Sequence, residues 1–428
     1  MGLLILLGLF LFCILIGIPV AFAMAISALA TFFYEGFPLL ITFQRISSGI
    51  TILSLLAIPF FIFAGELMLH GGIATRLVRF ASTLVGHLKG GLASVNIFSS
   101  MLFGGISGSA VADISALGSI LIPVMKEKGY RGEYAVNVTV TSSIAGVVIP
   151  PSHNMIIYSV AAGGGISISK LFLGGVVPGI LMCVCLAIAA YVIALKHKYP
   201  SEPFPGVSAV LLSGAAALPG LVTAIIIVGG VLSGVFTVTE SGAFGAIYAL
   251  VLTGLVYRSL SWEKFLTAVT NSVRTTAMVM ILIGSAGAFG YLLALYQVPT
   301  LLSEFLLSIS DNPYAIILMI NVMLLLLGMI MDMAALILIC TPIFLPIAAA
   351  TGMDPIQFGI MMLMNLGLGL CTPPVGVCLF VGCAVGKVPI EKAIRGIWPF
   401  YLAMLFALLL VIFFPVISMG LPNLIGNG

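Results

Sequence analysis

Oxygen-bearing side chains gather at two places where long apolar runs are broken. In the first, Ser107, Gly108, Ser109 and Asp113 face the segment that runs from Thr141-Ser142-Ser143 through Gly146 to Pro150-Pro151-Ser152-His153-Asn154. In the second, Asp332 and Thr341 face the segment from Asn365 through Gly369 to Thr372-Pro373-Pro374. Proline has no N–H and its ring crowds the preceding turn, so each Pro-Pro frees carbonyls of the turn before it. Freed carbonyls beside Ser and Thr hydroxyls form an oxygen cage suited to a hard monovalent cation, and helices that begin inside a membrane offer free N–H groups to an anion. The expected cation ligands, for sodium, are Ser109, Ser142, Gly146 and Pro150 in the first layer and Asp332, Gly369 and Thr372 in the second. The expected substrate residues are Ser107, Asp113, Ser152, His153 and Asn154. Such a pairing is what sodium-coupled transport of an acidic solute needs.

Each residue also has a purely structural reading. Ser and Gly are common between packed membrane helices, so Ser109 or Ser142 alone would be a packing residue. Asp113 and Asp332 lie in apolar surroundings, where an ionised side chain costs on the order of 3 kcal/mol even on insertion scales, which favours a functional role. Asp113 could instead be satisfied by hydroxyls of its own hairpin, and His153 could be an internally bonded core histidine. Glu66, Glu240 and Lys170 fall near span ends and are expected to snorkel or fix structure.

The segments that position these residues repeat at an offset of 223: Gly105 matches Gly328, Pro123 matches Pro346, Gly146 matches Gly369 and Pro150-Pro151 matches Pro373-Pro374. Hydrophobic residues make up 61% and charged residues 7%, so apolar runs of membrane-spanning length fill the chain. The fold class expected is an all-α polytopic membrane protein. Full spans are predicted near 3–33, 50–70, 133–162, 172–195, 217–235, 240–258, 274–296, 355–384 and 396–417. Two stretches, 90–126 and 313–350, are too long for one span and carry central breaks, which predicts re-entrant hairpins. The broken helices are then 133–162 and 355–384. Span parity between the units is odd, giving an inverted-topology repeat. The division expected is 1–49 as an N-terminal scaffold helix and loop, 50–195 as the first repeat unit, 196–273 as linker and scaffold helices, and 274–428 as the second unit.

Fourteen of the sixteen Lys and Arg residues fall on one side of this arrangement, with only Arg45 and Lys170 on the other. The positive-inside rule therefore predicts a cytoplasmic N-terminus and first hairpin. A net charge of +3 gives no sign of a nucleic-acid partner, and the seven cysteines lack metal-type spacing, so no cofactor is expected beyond coupling sodium ions. An enzyme is not expected. Under the offset Asp332 aligns with Ser109 and Asp113 with Leu336, so the carboxylates form no symmetric pair, and no Gly-x-Gly-Asp or His-Glu-x-x-His is present.

Four motifs carry a resemblance: Gly104-Gly105-Ile106-Ser107-Gly108-Ser109-Ala110, the run Gly146 to Pro151, Phe236-Thr237-Val238-Thr239-Glu240, and Leu370-Cys371-Thr372-Pro373-Pro374-Val375-Gly376. Across essentially the whole chain the sequence resembles the large membrane subunit of tripartite ATP-independent periplasmic (TRAP) transporters, within the ion transporter superfamily. That resemblance implies an elevator mechanism, in which the hairpins and broken helices slide against a scaffold in the lipid bilayer. It also implies sodium coupling, a periplasmic substrate-binding protein and a small four-helix membrane subunit, which this chain is expected to lack. Pro150-Pro151-Ser152-His153-Asn154 departs from dicarboxylate-type subunits and resembles members that handle sialic acid or other sugar acids. The alternative is a stand-alone sodium/dicarboxylate symporter of the same superfamily.

Overall fold

The computed structural model describes residues 1–425, and no strand occurs among them. The chain opens with α1 (Gly2–Leu15) and α2 (Val20–Tyr34), packed on each other. Between them Gly17 takes a left-handed φ of 88°, and Pro19, which has no N–H to continue a helix, precedes α2. Gly2 consequently backs onto the Tyr296 hydroxyl and the Glu35 carboxylate, which bond each other at 2.8 Å. The single span predicted over 3–33 is therefore corrected to a helical hairpin, and Met1 lies at the same end of the molecule as Glu35 rather than opposite it.

The next segment, α3 (Leu39–Ile50), a 3₁₀ turn at Leu53–Leu56 and α4 (Ala57–His70), runs along a single long helix from the other half of the chain. α5 (Ile73–Val85) leads into the first hairpin, α6 (Gly91–Ser107) and α7 (Ala110–Glu127), close to the predicted 90–126. The first broken helix follows as α8 (Gly132–Ser142), one turn α9 (Ala145–Val148) and α10 (His153–Ala161), with a bend of 53° at the Pro150-Pro151 interruption. α11 (Ile168–His197) completes this half.

The linker after His197 carries no helix until α12 (Val207–Leu232), which packs on α13 (Val238–Val251). Thr237 and Glu240 close a capping box at the start of α13, so Glu240 serves the helix end as expected. α14 (Trp262–Leu295) is the long helix met by α3 and α4: the Arg45 guanidinium lies 3.9 Å over the Tyr291 ring, and Asn271 donates to Glu66 at 3.2 Å. α15 (Val298–Ile309) precedes the second hairpin, α16 (Pro313–Gly328) and α17 (Met333–Ala350). The second broken helix is α18 (Pro355–Leu370) and α19 (Val377–Gly386), followed by α20 (Ile390–Phe413) and α21 (Val416–Ile425).

Among the described residues seven helices are long and apolar enough to cross a membrane, or eight if the bent pair counts as one. The predicted spans 355–384 and 396–417 end up divided, at Cys371–Gly376 and at Pro415. Elements of the second half recur near the same offset, with α14 standing where α3, the 3₁₀ turn and α4 stand in the first. α7 and α17 are each 18 residues long with bounds 223 apart, and α12–α13 precede α14 as α1–α2 precede α3. The halves also interlock, because α7 packs on α19 and α10 on α17. Lys126 at the end of α7 donates to the Gly386 carbonyl at the end of α19, at 2.5 Å. A basic side chain there satisfies a free carbonyl and the negative end of the helix dipole.

Candidate functional site

Each hairpin tip is built from a stop and a cap. Gly108, with φ of 63°, ends α6 in the left-handed conformation, and Ser109 then caps α7 by accepting from the Ala112 N–H at 3.4 Å. Gly108 lies against the broken helix: a Cβ there would stand 3.1 Å from His153 Nδ1 and 3.4 Å from the Pro151 carbonyl. At the second tip Asp332 Oδ2 accepts from the Ala334 N–H at 2.9 Å and caps α17. The Met329 carbonyl accepts from Val375 and Gly376 at 3.1 and 3.3 Å, tying that tip to the loop of the second broken helix.

Both tips open on one cavity of about 490 Å³. Ser109, Ala110 and Val111 reach it from the first tip, Asp332, Met333, Ala334 and Ala335 from the second, and His153 and Asn154 from the start of α10. Its far wall is the beginning of α2, Pro19 to Phe22, and the stretch of α14 from Thr275 to Leu282. The first turns of α2, α7, α10 and α17 thus converge on a single space. Helix starts carry unpaired N–H groups and the positive end of the dipole, so their convergence favours a negatively charged guest. Asp332 contributes the one formal negative charge among the lining residues. An anion beside it calls for a compensating cation.

Of the residues expected at the site, Ser109, His153, Asn154 and Asp332 share the cavity. Ser107 stands just behind the first tip, 8% exposed, and accepts from the Ser109 N–H at 3.4 Å. Ser152 is fully buried at the cap of α10, its hydroxyl without a hydrogen-bond partner among the described residues. The Pro150 carbonyl faces Gly105, and Gly146 faces Gly104. Thr372 donates to the Leu368 carbonyl at 2.7 Å, while Gly369 abuts Gly328. Ser142 does not converge with Ser109. Its hydroxyl meets Ser100 at 3.0 Å, seven residues before Ser107 and so roughly 10 Å down α6 from the tip. Asp113 likewise turns away from the cavity into the hairpin interior.

Two groups of residues escaped the sequence reading, the first being the partners of Ser142 and Asn365. Asn96 donates to Thr139 at 2.6 Å beside the Ser100–Ser142 contact, which clips α6 to α8. In the second unit Asn365, at the position offset by 223 from Ser142, donates to the backbone and side-chain oxygens of Asn321 at 2.9 and 2.8 Å, which clips α18 to α16. The wall on α2 and α14 is the other group, and its mainly apolar residues carry no chemical signature.

Comparison with known proteins agrees with this architecture. The family model for the tripartite ATP-independent periplasmic transporter, DctM component, matches residues 7–417. The chain is 39% identical to the sialic acid TRAP transporter large permease protein SiaM of Vibrio cholerae, over 95% of each chain. It is also 39% identical to the C4-dicarboxylate TRAP transporter large permease protein DctM of Pseudomonas aeruginosa, over 87% of each. Among solved structures, the Alcanivorax borkumensis YdaH transporter superposes with a TM-score of 0.63 at 15% identity, covering 90% of this chain and 87% of that one, a likeness of fold. With organic-acid permeases as its relatives, this multi-pass chain belongs to the DctM family, the large membrane permeases of TRAP transporters, and is a secondary transporter subunit rather than an enzyme.

Proposed function

We propose that this permease takes up a small monoanionic organic acid, of the sialic or sugar-acid type, by sodium-coupled elevator transport across the bacterial inner membrane. The observation that carries the reading is the convergence of four helix starts on a cavity whose one charged lining residue is Asp332. The helix starts hold the carboxylate of the solute. Sodium ions sit at the tips, one among Ser109 and the Gly146 to Pro150 carbonyls and one among Asp332, Gly369 and Thr372, and neutralise the charge that Asp332 would otherwise set against the anion. Ser142 acts behind the first of these by holding α8 to α6. Ser107, Ser152, His153 and Asn154 supply neutral hydrogen-bonding groups suited to the hydroxyls of a sugar acid.

In this reading the two units are inverted repeats, and the moving body comprises the hairpins and broken helices, which α7–α19 and α10–α17 packing ties together. The wall of α2 and α14 belongs to the scaffold. With the basic side in the cytoplasm, the pairing of Gly2 with Glu35 and Tyr296 faces Met1 outward, the reverse of the orientation expected from a single first span. A small membrane subunit and a periplasmic binding protein complete the transporter, the latter delivering a dilute solute to a site with few charged groups.

The test is uptake into proteoliposomes containing both membrane subunits, with the binding protein added and a panel of sugar acids and C4-dicarboxylates offered. Uptake of a sugar acid that stops when the sodium gradient is collapsed supports the reading. Sodium-independent uptake, or selective uptake of dicarboxylates, overturns the corresponding part.

A further inference from the structure

Asp113 is a polar anomaly that the cavity does not use. It lies in the first turn of α7, 1% exposed, and neither carboxylate oxygen has a hydrogen-bond partner among the described residues. Nearby backbone donors are already engaged: the Ala112 N–H with Ser109 Oγ at 3.4 Å and the Asp113 N–H with the Ser109 carbonyl at 3.0 Å. Asp113 is in no salt bridge among the described residues.

What it does have is neutral oxygen. Ser100 on α6 is the side chain beside the carboxylate, without hydrogen-bonding geometry to either oxygen. The Ser100 hydroxyl meets that of Ser142 on α8 at 3.0 Å, and Ser142 lies 3.5 Å from the amide oxygen of Asn96. Ser100, Ser142 and Asn96 are all fully buried. A proton on Asp113 would need a single acceptor, whereas a cation would use the lone pairs that the clip between α6 and α8 leaves free. One carboxylate with three neutral oxygens matches a hard monovalent cation in charge and ligand type. Among the described residues no three His, Cys, Asp or Glu side chains gather as transition-metal ligands.

We propose that Asp113, Ser100, Ser142 and the Asn96 amide oxygen form a sodium site inside the first hairpin, separate from the ions at the tips. Bound there, the cation cancels the buried charge and ties α6, α7 and α8 together, so that the hairpin is rigid only when the ion is present. The site does not rest on the tip sites, and its test reads binding rather than transport.

The experiment is equilibrium binding of ²²Na⁺ to the full chain with its small membrane subunit in detergent, in choline buffer. It compares the wild type with Asp113→Asn, Asp332→Asn and Ser100→Ala. Asp113→Asn is expected to bind one sodium fewer per chain, while Asp332→Asn keeps that ion. Ser100→Ala is expected to weaken it by roughly 10-fold. If the tip reading alone is mistaken, Asp332→Asn binds as the wild type does and Asp113→Asn still loses one ion. An Asp113→Asn protein that binds the wild-type number of ions overturns the proposal, and if its only change is a lost pH dependence of uptake, Asp113 is a proton carrier instead. Should Asp113→Asn fail to accumulate, Ser100→Ala decides, and wild-type sodium affinity at every site in that variant overturns the proposal equally.

Discussion

A Cβ placed on Gly146 would stand 2.9 Å from the Cα of Gly104. The first broken helix and the first hairpin therefore meet backbone to backbone, with no flexible side chain between them to give way. The same approach recurs in the second unit, where a Cβ on Gly369 would stand 2.8 Å from the Cα of Gly328. Small residues are what let membrane helices approach this closely. Gly146→Ala and Gly369→Ala should each destabilise the protein by about 1–3 kcal/mol through overpacking. Gly8→Ala, where nothing lies within 4 Å, should not. Thermal unfolding of the detergent-purified variants checks this, and equal midpoints for all three would show that the interface is looser than described.

The polar clips should behave differently. Asn365 gives both of its characterised hydrogen bonds to Asn321, so Asn365→Ala leaves a buried amide oxygen without its donor, a loss of about 1–3 kcal/mol. Replacing both residues with leucine removes donor and acceptor together and should recover part of that loss. A double-mutant cycle on the unfolding midpoints measures the coupling. Strict additivity of Asn321→Leu and Asn365→Leu would mean that the two amides do not depend on each other.

What could be read from sequence followed the breakers. Gly108 and Ser109 announce a helix stop and a helix cap in consecutive positions, and they fall at the break between α6 and α7. Pro150-Pro151 and Pro373-Pro374 marked the broken helices equally well. The same signals are present at Gly17 and Pro19, but apolar residues on both sides make 3–33 read as one continuous span, which puts Met1 at the opposite end from Glu35. Asn96, Ser100 and Asn321 stayed hidden because a lone polar residue in an apolar helix looks the same whether it clips a neighbour or fills a gap. The wall of the cavity was illegible for a further reason: Val279 and Leu282 matter through where α14 runs, which only tertiary packing specifies.

Sliding of the hairpins past that wall is directly testable. Val111 at the first tip and Met278 on α14 line the same cavity, so a reducible bifunctional thiol reagent should bridge cysteines at the two positions in the state described here. Locking them should arrest uptake, and reduction should restore it, because an elevator must carry the tip along α14. The seven native cysteines are all buried, and Cys340 on α17 and Cys371 at the end of α18 need replacing first. Full uptake by a verified crosslinked species would leave no room for an elevator.

Coupling gives the most discriminating prediction, because it combines the charge at Asp332 with the charge of the solute. If two sodium ions at the tips enter with one monoanion, one net positive charge moves inward per cycle, and a potential of 100 mV, negative inside, adds about 2.3 kcal/mol to accumulation. Imposing that potential on proteoliposomes with potassium and valinomycin should therefore accelerate uptake. Asp332→Asn removes the carboxylate that caps α17 and faces the cavity. It should raise the sodium concentration for half-maximal uptake by roughly 10-fold or more. Thr372→Val should act in the same direction but more weakly, since it removes a neutral ligand and not a charge: the Thr372 hydroxyl donates its proton to Leu368 and keeps its lone pairs for an ion. A potential with no effect on the wild-type rate would refute the two-to-one stoichiometry, and an Asp332→Asn protein with unchanged sodium dependence would remove Asp332 from the ion site while leaving it as the cap of α17.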